Sequence, residues 1–64
     1  MEIQIRLDSF NSILSQSIMN NSSYFSIDYD SRESEFIINI QLDEFQLESL
    51  LYQIGLDDDD YIEI

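Results

Sequence analysis

Residues 2 to 7, EIQIRL, alternate strictly between apolar and polar. Ile3, Ile5 and Leu7 share one face, and Glu2, Gln4 and Arg6 share the other. That two-residue period predicts a half-buried strand. The period then changes. In residues 8 to 20, DSFNSILSQSIMN, Phe10, Ile13, Leu14 and Ile18 fall on one face of a helix. Asp8 or Ser9 is placed to cap its start. Its many serines lower helix propensity, so this helix depends on packing. NNSS, residues 20 to 23, ends it, since Asn20 or Asn21 tolerates a left-handed C-terminal conformation.

Alternation returns in residues 24 to 29, YFSIDY. Phe25, Ile27 and Tyr29 face one way, and Tyr24, Ser26 and Asp28 the other. DSRES, residues 30 to 34, has the length and polarity of a hairpin turn. EFIINIQL, residues 35 to 42, is the clearest strand, with Phe36, Ile38, Ile40 and Leu42 inward. Ile37 falls on its outer face. Residues 43 to 54, DEFQLESLLYQI, are the clearest helix. Asp43 and Gln46 have the spacing of a capping box. Leu47, Leu50, Leu51 and Ile54 form the apolar stripe, and Gly55 stands where a helix C-terminus favours glycine. After four aspartates, YIEI predicts a fourth short strand in which Ile62 and Ile64 alternate with Tyr61 and Glu63.

These segments define the fold class as α+β: a small antiparallel sheet with two helices on one face, in the order β-α-β-β-α-β. This is the split-βαβ, ferredoxin-like arrangement. Failure of the last strand to pair would reduce it to three strands and two helices. The whole chain, 1-64, reads as a single acidic α+β domain.

Composition adds a problem to this picture. A domain of 64 residues buries only about 60% of the surface its unfolded chain exposes. Small domains often rely on a staple. The chain has no Cys and no His, which excludes disulfides, thiolate chemistry, zinc fingers and histidine-based catalysis. Self-association, as a homodimer, is one source of further burial. No apolar run approaches the ~20 residues of a membrane span. The acid at residue 2 and the lack of a basic segment after it argue against a signal peptide. The expected location is cytoplasmic.

Charge dominates the candidate chemistry. Fourteen acids stand against two arginines, Arg6 and Arg32, with no lysine, for a net charge of −12. Such charge costs stability through self-repulsion. Disorder is the first consequence to weigh, but 44% hydrophobic and 12% aromatic content exceeds that of a disordered acidic tail. Eleven isoleucines and four asparagines suggest an AT-rich coding sequence, which would ordinarily supply lysine. Its absence points to selection against positive charge.

Four chemical readings compete. A carboxylate enzyme needs two acids whose pKa values burial drives apart. Here the acids occupy outward strand positions, turns and a helix start, with no His, Cys, Lys or glycine-rich phosphate loop to assist. No cofactor is implied. Metal binding by Asp57, Asp58, Asp59 and Asp60 is the second, but a calcium loop counted from Asp57 runs off the end of the chain, and one counted from Asp28 puts Arg32 and Asn39 at ligand positions, which leaves only weak, unspecific cation binding. DDDDYIEI also resembles peptides that add a strand to a partner's sheet edge, such as SUMO-interacting motifs. An internal edge strand is the simpler account of it.

The fourth reading is mimicry of nucleic acid. Duplex DNA carries one charge per about 1.7 Å of axis, so twelve charges match about 20 Å of duplex. A chain this long has a radius of gyration near ~11 Å. Alternate strand residues lie roughly 6.6 Å apart, so Asp28 with Asp30, and Glu33 with Glu35, are expected to set carboxylates in a row. The expected contact set is Asp28, Asp30, Glu33, Glu35, Asp57, Asp58, Asp59 and Asp60. Tyr61 is an apolar anchor, and Tyr24, Tyr52 and Tyr61 are read as outward-facing. The bland alternative is a solvated acidic surface.

In size, acidity and element order the whole chain resembles, as a class, the small acidic inhibitors made by bacteriophages, among them anti-CRISPR proteins and inhibitors of uracil-DNA glycosylase. The resemblance carries over no individual residue. The mimicry reading expects a basic nucleic-acid-binding protein as partner and no direct nucleic acid binding, and the lack of a long apolar run expects no membrane. The rival expectations are an immunity-type protein that neutralises a cationic toxin and an acidic subunit of a larger assembly.

Overall fold

The computed structural model describes residues 1–64. Six elements follow the expected order: β1 (Glu2–Leu7), α1 (Ser12–Asn20), β2 (Tyr24–Asp30), β3 (Glu35–Gln41), α2 (Glu44–Ile54) and β4 (Tyr61–Glu63). A single 3-10 turn over Asp58–Asp60 leads into β4. The sheet order is β2-β3-β1-β4, with every neighbouring pair antiparallel. This is the full ferredoxin-like order rather than the reduced variant. No helix is long and apolar enough to cross a membrane.

The register explains the core. Ile3 lies opposite Ile40, Ile5 opposite Ile38 and Leu7 opposite Phe36. Directly opposed residues share a face, so one face of the central strands is continuously apolar. Ile18 from α1 and Leu47 and Leu50 from α2 complete the buried cluster with Leu42. Eight residues is a small core, as the chain length dictates. The radius of gyration is 10.9 Å and the extents are 33 × 25 × 20 Å.

The second helix forms as its sequence specifies. The Asp43 carboxylate accepts the Gln46 N–H at 2.8 Å, and the Gln46 side chain accepts the Asp43 N–H at 2.9 Å. Gly55 closes it at φ +71°, and its N–H donates to the Leu51 carbonyl. Leu47 and Leu50 are buried, and Leu51 and Ile54 pack beside them.

The first helix departs from expectation. It begins at Ser12, capped by Asn11, whose side chain accepts the Leu14 N–H at 2.8 Å. Neither Asp8 nor Ser9 caps it. Phe10 therefore precedes the helix, yet it packs on the core and sits 6.2 Å from the Phe36 ring. Ile13 points to solvent, 78% exposed. The helix buries only Ile18 fully. Asn21, which follows the helix as its C-terminal cap, has φ −126°, which is not left-handed, and Asn20 is helical. Asn21 ends the helix with its side chain instead. Its Nδ2 donates to the Ser17 carbonyl at 2.7 Å and to Gln53 Oε1 at 3.0 Å, tying α1 to α2.

The fourth strand pairs with β1 but presents the other face. Tyr61 lies opposite Ile5 and packs on the core, while Ile62, opposite Gln4, is 60% exposed. Ile64 is likewise exposed. One tyrosine covers more apolar surface than an isoleucine and can keep its hydroxyl wet. A three-residue edge strand has room for only one such residue over Ile5.

Candidate functional site

The sheet face away from the helices is open. It carries Tyr24, Ser26, Asp28 and Asp30 from β2, Glu35, Ile37, Asn39 and Gln41 from β3, and Glu2, Gln4 and Arg6 from β1; these sit in cross-strand register. Gln4 Nε2 donates to Asn39 Oδ1 at 3.1 Å across its centre. Ile37 is half-buried between Arg6 and Asp28 in the register. Those two neighbours are the partners its outward position required.

The hairpin acids do not form a bare row. Arg6 reaches Asp30 at 3.7 Å and Glu35 at 3.8 Å. Asp30 Oδ1 also accepts the Arg32 and Glu33 N–H groups at 3.0 and 3.3 Å, so this carboxylate builds the turn. Ser34 takes a positive φ of 55° to close the loop. Asp28 and Glu33 are exposed and free of ion pairs. Thus Asp28, Asp30 and Glu35 share the open face, and Glu33 sits at the hairpin tip.

The aspartate tract lies on the opposite edge of the sheet. Asp57, Asp58, Asp59 and Asp60 are all exposed. The Asp60 carboxylate accepts the Asp57 N–H at 2.8 Å, which folds the tract into a compact turn. Asp59 and Asp60 line a 220 Å³ cleft with Arg6, Gln4, Tyr61 and Ile62. Asp58 turns toward α2 and lines a 250 Å³ groove with Glu44, Glu48, Leu47 and Tyr61. No three carboxylates gather in a way that could hold a metal ion.

Topology brings the two groups of acids together. The end of β1, the β2–β3 hairpin and the start of β4 lie at the same end of the sheet. Asp8, Asp28, Asp30, Glu33, Glu35 and the tract therefore lie toward that end, spread from the β2 edge to the β4 edge, with Arg6 between the hairpin acids and the tract. Among all fourteen acids none is buried. Only Asp30 and Glu35 are ion-paired. The largest cavity, 320 Å³ between α1 and α2, includes Leu7, Ile13, Leu14, Gln53, Ile54 and Leu56 in its wall and no titratable group.

The expected tyrosines divide. Tyr24 and Tyr52 are exposed, but Tyr61 is half-buried against the core and does not stand free as an outward anchor. Two exposed apolar side chains, Phe45 and Ile62, add to this surface. Phe45 stands one residue into α2 and is 84% exposed. It shares its helix face with Tyr52, seven residues on. Their spacing in the sequence was enough to place both off the Leu47–Leu50 stripe.

No protein-family model, curated protein or solved structure matches the chain.

Proposed function

We propose that the protein is a non-enzymatic acidic inhibitor that occupies a basic groove of a DNA- or RNA-handling protein. One observation carries this reading: twelve of fourteen acids have no cationic partner, and all are accessible. Solubility needs far less charge than this, and the excess costs stability. A surface of that kind gains most from a partner that supplies cations.

The dimensions refine the mimicry. Duplex 33 Å long, the length of this molecule, would carry about 19 phosphates. A net charge of −12 is about three fifths of that. The protein therefore resembles nucleic acid in the sign and reach of its field rather than phosphate for phosphate. Arg6, held between Asp30 and Glu35, breaks the hairpin row where regular phosphate spacing would be needed.

The test is capture of partners from a nucleic-acid-rich lysate at low and high salt, followed by displacement with duplex DNA or structured RNA. Partners released both by salt and by nucleic acid support the inhibitor reading. Partners released by salt alone favour neutralisation of a cationic toxin. Large closed assemblies without a partner would overturn both. With a partner in hand, replacing Asp57, Asp58, Asp59 and Asp60 by asparagine should slow association and flatten its salt dependence, leaving dissociation nearly unchanged. An unchanged association rate would remove the tract from the contact surface.

A further inference from the structure

The two edges of the sheet differ. β4 is three residues long, and short edges resist pairing. β2 is seven residues long and pairs with β3 in one unbroken register from Tyr24 to Asp30. Its other side has no neighbour. Proteins usually protect such an edge with charged side chains, lysine above all, or with proline or a bulge; the charges on this edge are Asp28 and Asp30, which repel an acidic strand but attract a basic one. The chain has no lysine and no proline, and the β2 register shows no bulge. Alternate residues along the edge therefore offer free N–H and C=O groups.

This edge is two-sided in its chemistry. On the helix side, α1 leaves Ile27 38% and Tyr29 56% exposed. Tyr29 meets the Phe36 ring edge-on with ring centroids 5.0 Å apart, and Phe36 in turn lies 6.2 Å from Phe10, which packs on the core. On the open side stand Asp28, unpaired, and Asp30, shared with Arg6. β4 has the opposite arrangement, with Ile62 on the open side and Glu63 on the helix side.

We propose that the free edge of β2 accepts an extended peptide segment in which apolar and basic residues alternate, as a fifth strand of the sheet. Main-chain hydrogen bonds hold such a strand, and alternate side chains select it. Its apolar residues extend the core over Ile27 and Tyr29. Its Lys or Arg residues stand opposite Asp28 and Asp30, within the roughly 4.5–5.5 Å of cross-strand neighbours. The chain cannot supply this segment itself, because Arg6 lies in central β1 and Arg32 in the hairpin turn. A second copy brings its own Asp28 and Asp30, and another −12 of charge, to the same edge. The inference rests on the reading of a basic partner and names the part of it that docks.

The experiment uses the full chain, isotope-labelled for amide NMR, and two synthetic nonapeptides. One alternates valine and lysine. The other has the same composition in two blocks. Expected is binding of the alternating peptide about tenfold tighter than the blocked one, as charge pairs directly across a strand predict. Shifts and exchange protection should concentrate at residues 24–30. N-methylation of the peptide amides along one edge should abolish binding. Asp28→Lys, a substitution at an exposed position, should weaken it by about tenfold, with the amide spectrum reporting an intact fold. Equal affinity for the two peptides, or shifts centred on Asp57–Asp60, overturns the proposal. So does protection of β2 amides that grows with protein concentration and salt in the absence of peptide, which marks a second copy at the edge. Capture of a nucleic-acid-displaceable partner without preference for the alternating peptide overturns this inference alone; no capture overturns the inhibitor reading too.

Discussion

Single residues carry unusually large shares of stability in a core of eight. Ile38 and Leu50 have no exposed surface. Leu50→Ala and Ile38→Ala should each destabilise by about 2 to 5 kcal/mol, as buried large-to-small changes do. For a domain this small, that is a large part of the total. Urea midpoints would show it, and parental midpoints for both variants would refute the face assignments. Asn21 is the one buried polar residue, and its two hydrogen bonds leave no donor on Nδ2 unused. Arg6 acts differently. Its ion pairs are long and half-exposed, so they contribute little to stability, about 1 kcal/mol or less. Their larger effect is on the field, because they cancel charge at the centre of the most acidic region.

Elements were legible in proportion to how many independent signals agreed. In α2 a capping box, a four-residue apolar stripe and a terminal glycine all mark the same boundaries. Gly55→Ala is accordingly expected to cost about 1 kcal/mol, since alanine resists the left-handed conformation. Nothing lies within 4 Å of a Cβ built there, so the loss would be conformational rather than steric. A melting temperature equal to the parent's would contradict that. In α1 the signals conflict. Asp8 and Ser9 suit a cap by residue type, but so does Asn11, and periodicity does not choose among them. Asn11 prevails, and Phe10 reaches the core from a loop. In β4 the pattern favoured Ile62 and Ile64 inward, but the compact Asp58–Asp60 turn and pairing with β1 set the register, and Tyr61 goes in. The acids at the site were legible as outward residues from alternation alone. Their gathering at one end, and the insertion of Arg6 among them, depend on strand order, which no local pattern encodes.

At the scale of the molecule, twelve uncancelled charges within extents of 33 × 25 × 20 Å oppose folding at low ionic strength. Added salt shortens the range of that repulsion. The melting temperature should therefore rise between low and physiological salt. A flat or falling dependence would mean that self-repulsion is not a significant term. The same salt should weaken any basic partner's binding, so fold and complex respond to salt with opposite signs. The hairpin tip adds a consequence of another kind. Arg32 is exposed in the β2–β3 turn, whereas Arg6 lies inside the sheet between two neighbours. Trypsin cleaves only after arginine or lysine, so the native protein should be nicked once, at the midpoint of its 64 residues. Each half then holds one βαβ unit whose two strands are not adjacent: β3 separates β1 from β2, and β1 separates β3 from β4. Every strand pairing in the molecule crosses from one half to the other. The nicked protein should keep its circular dichroism while separating into two fragments in denaturant. Neither fragment should form a sheet alone, and mixing them should restore it, so that the chain behaves as two interleaved subunits joined at a single turn.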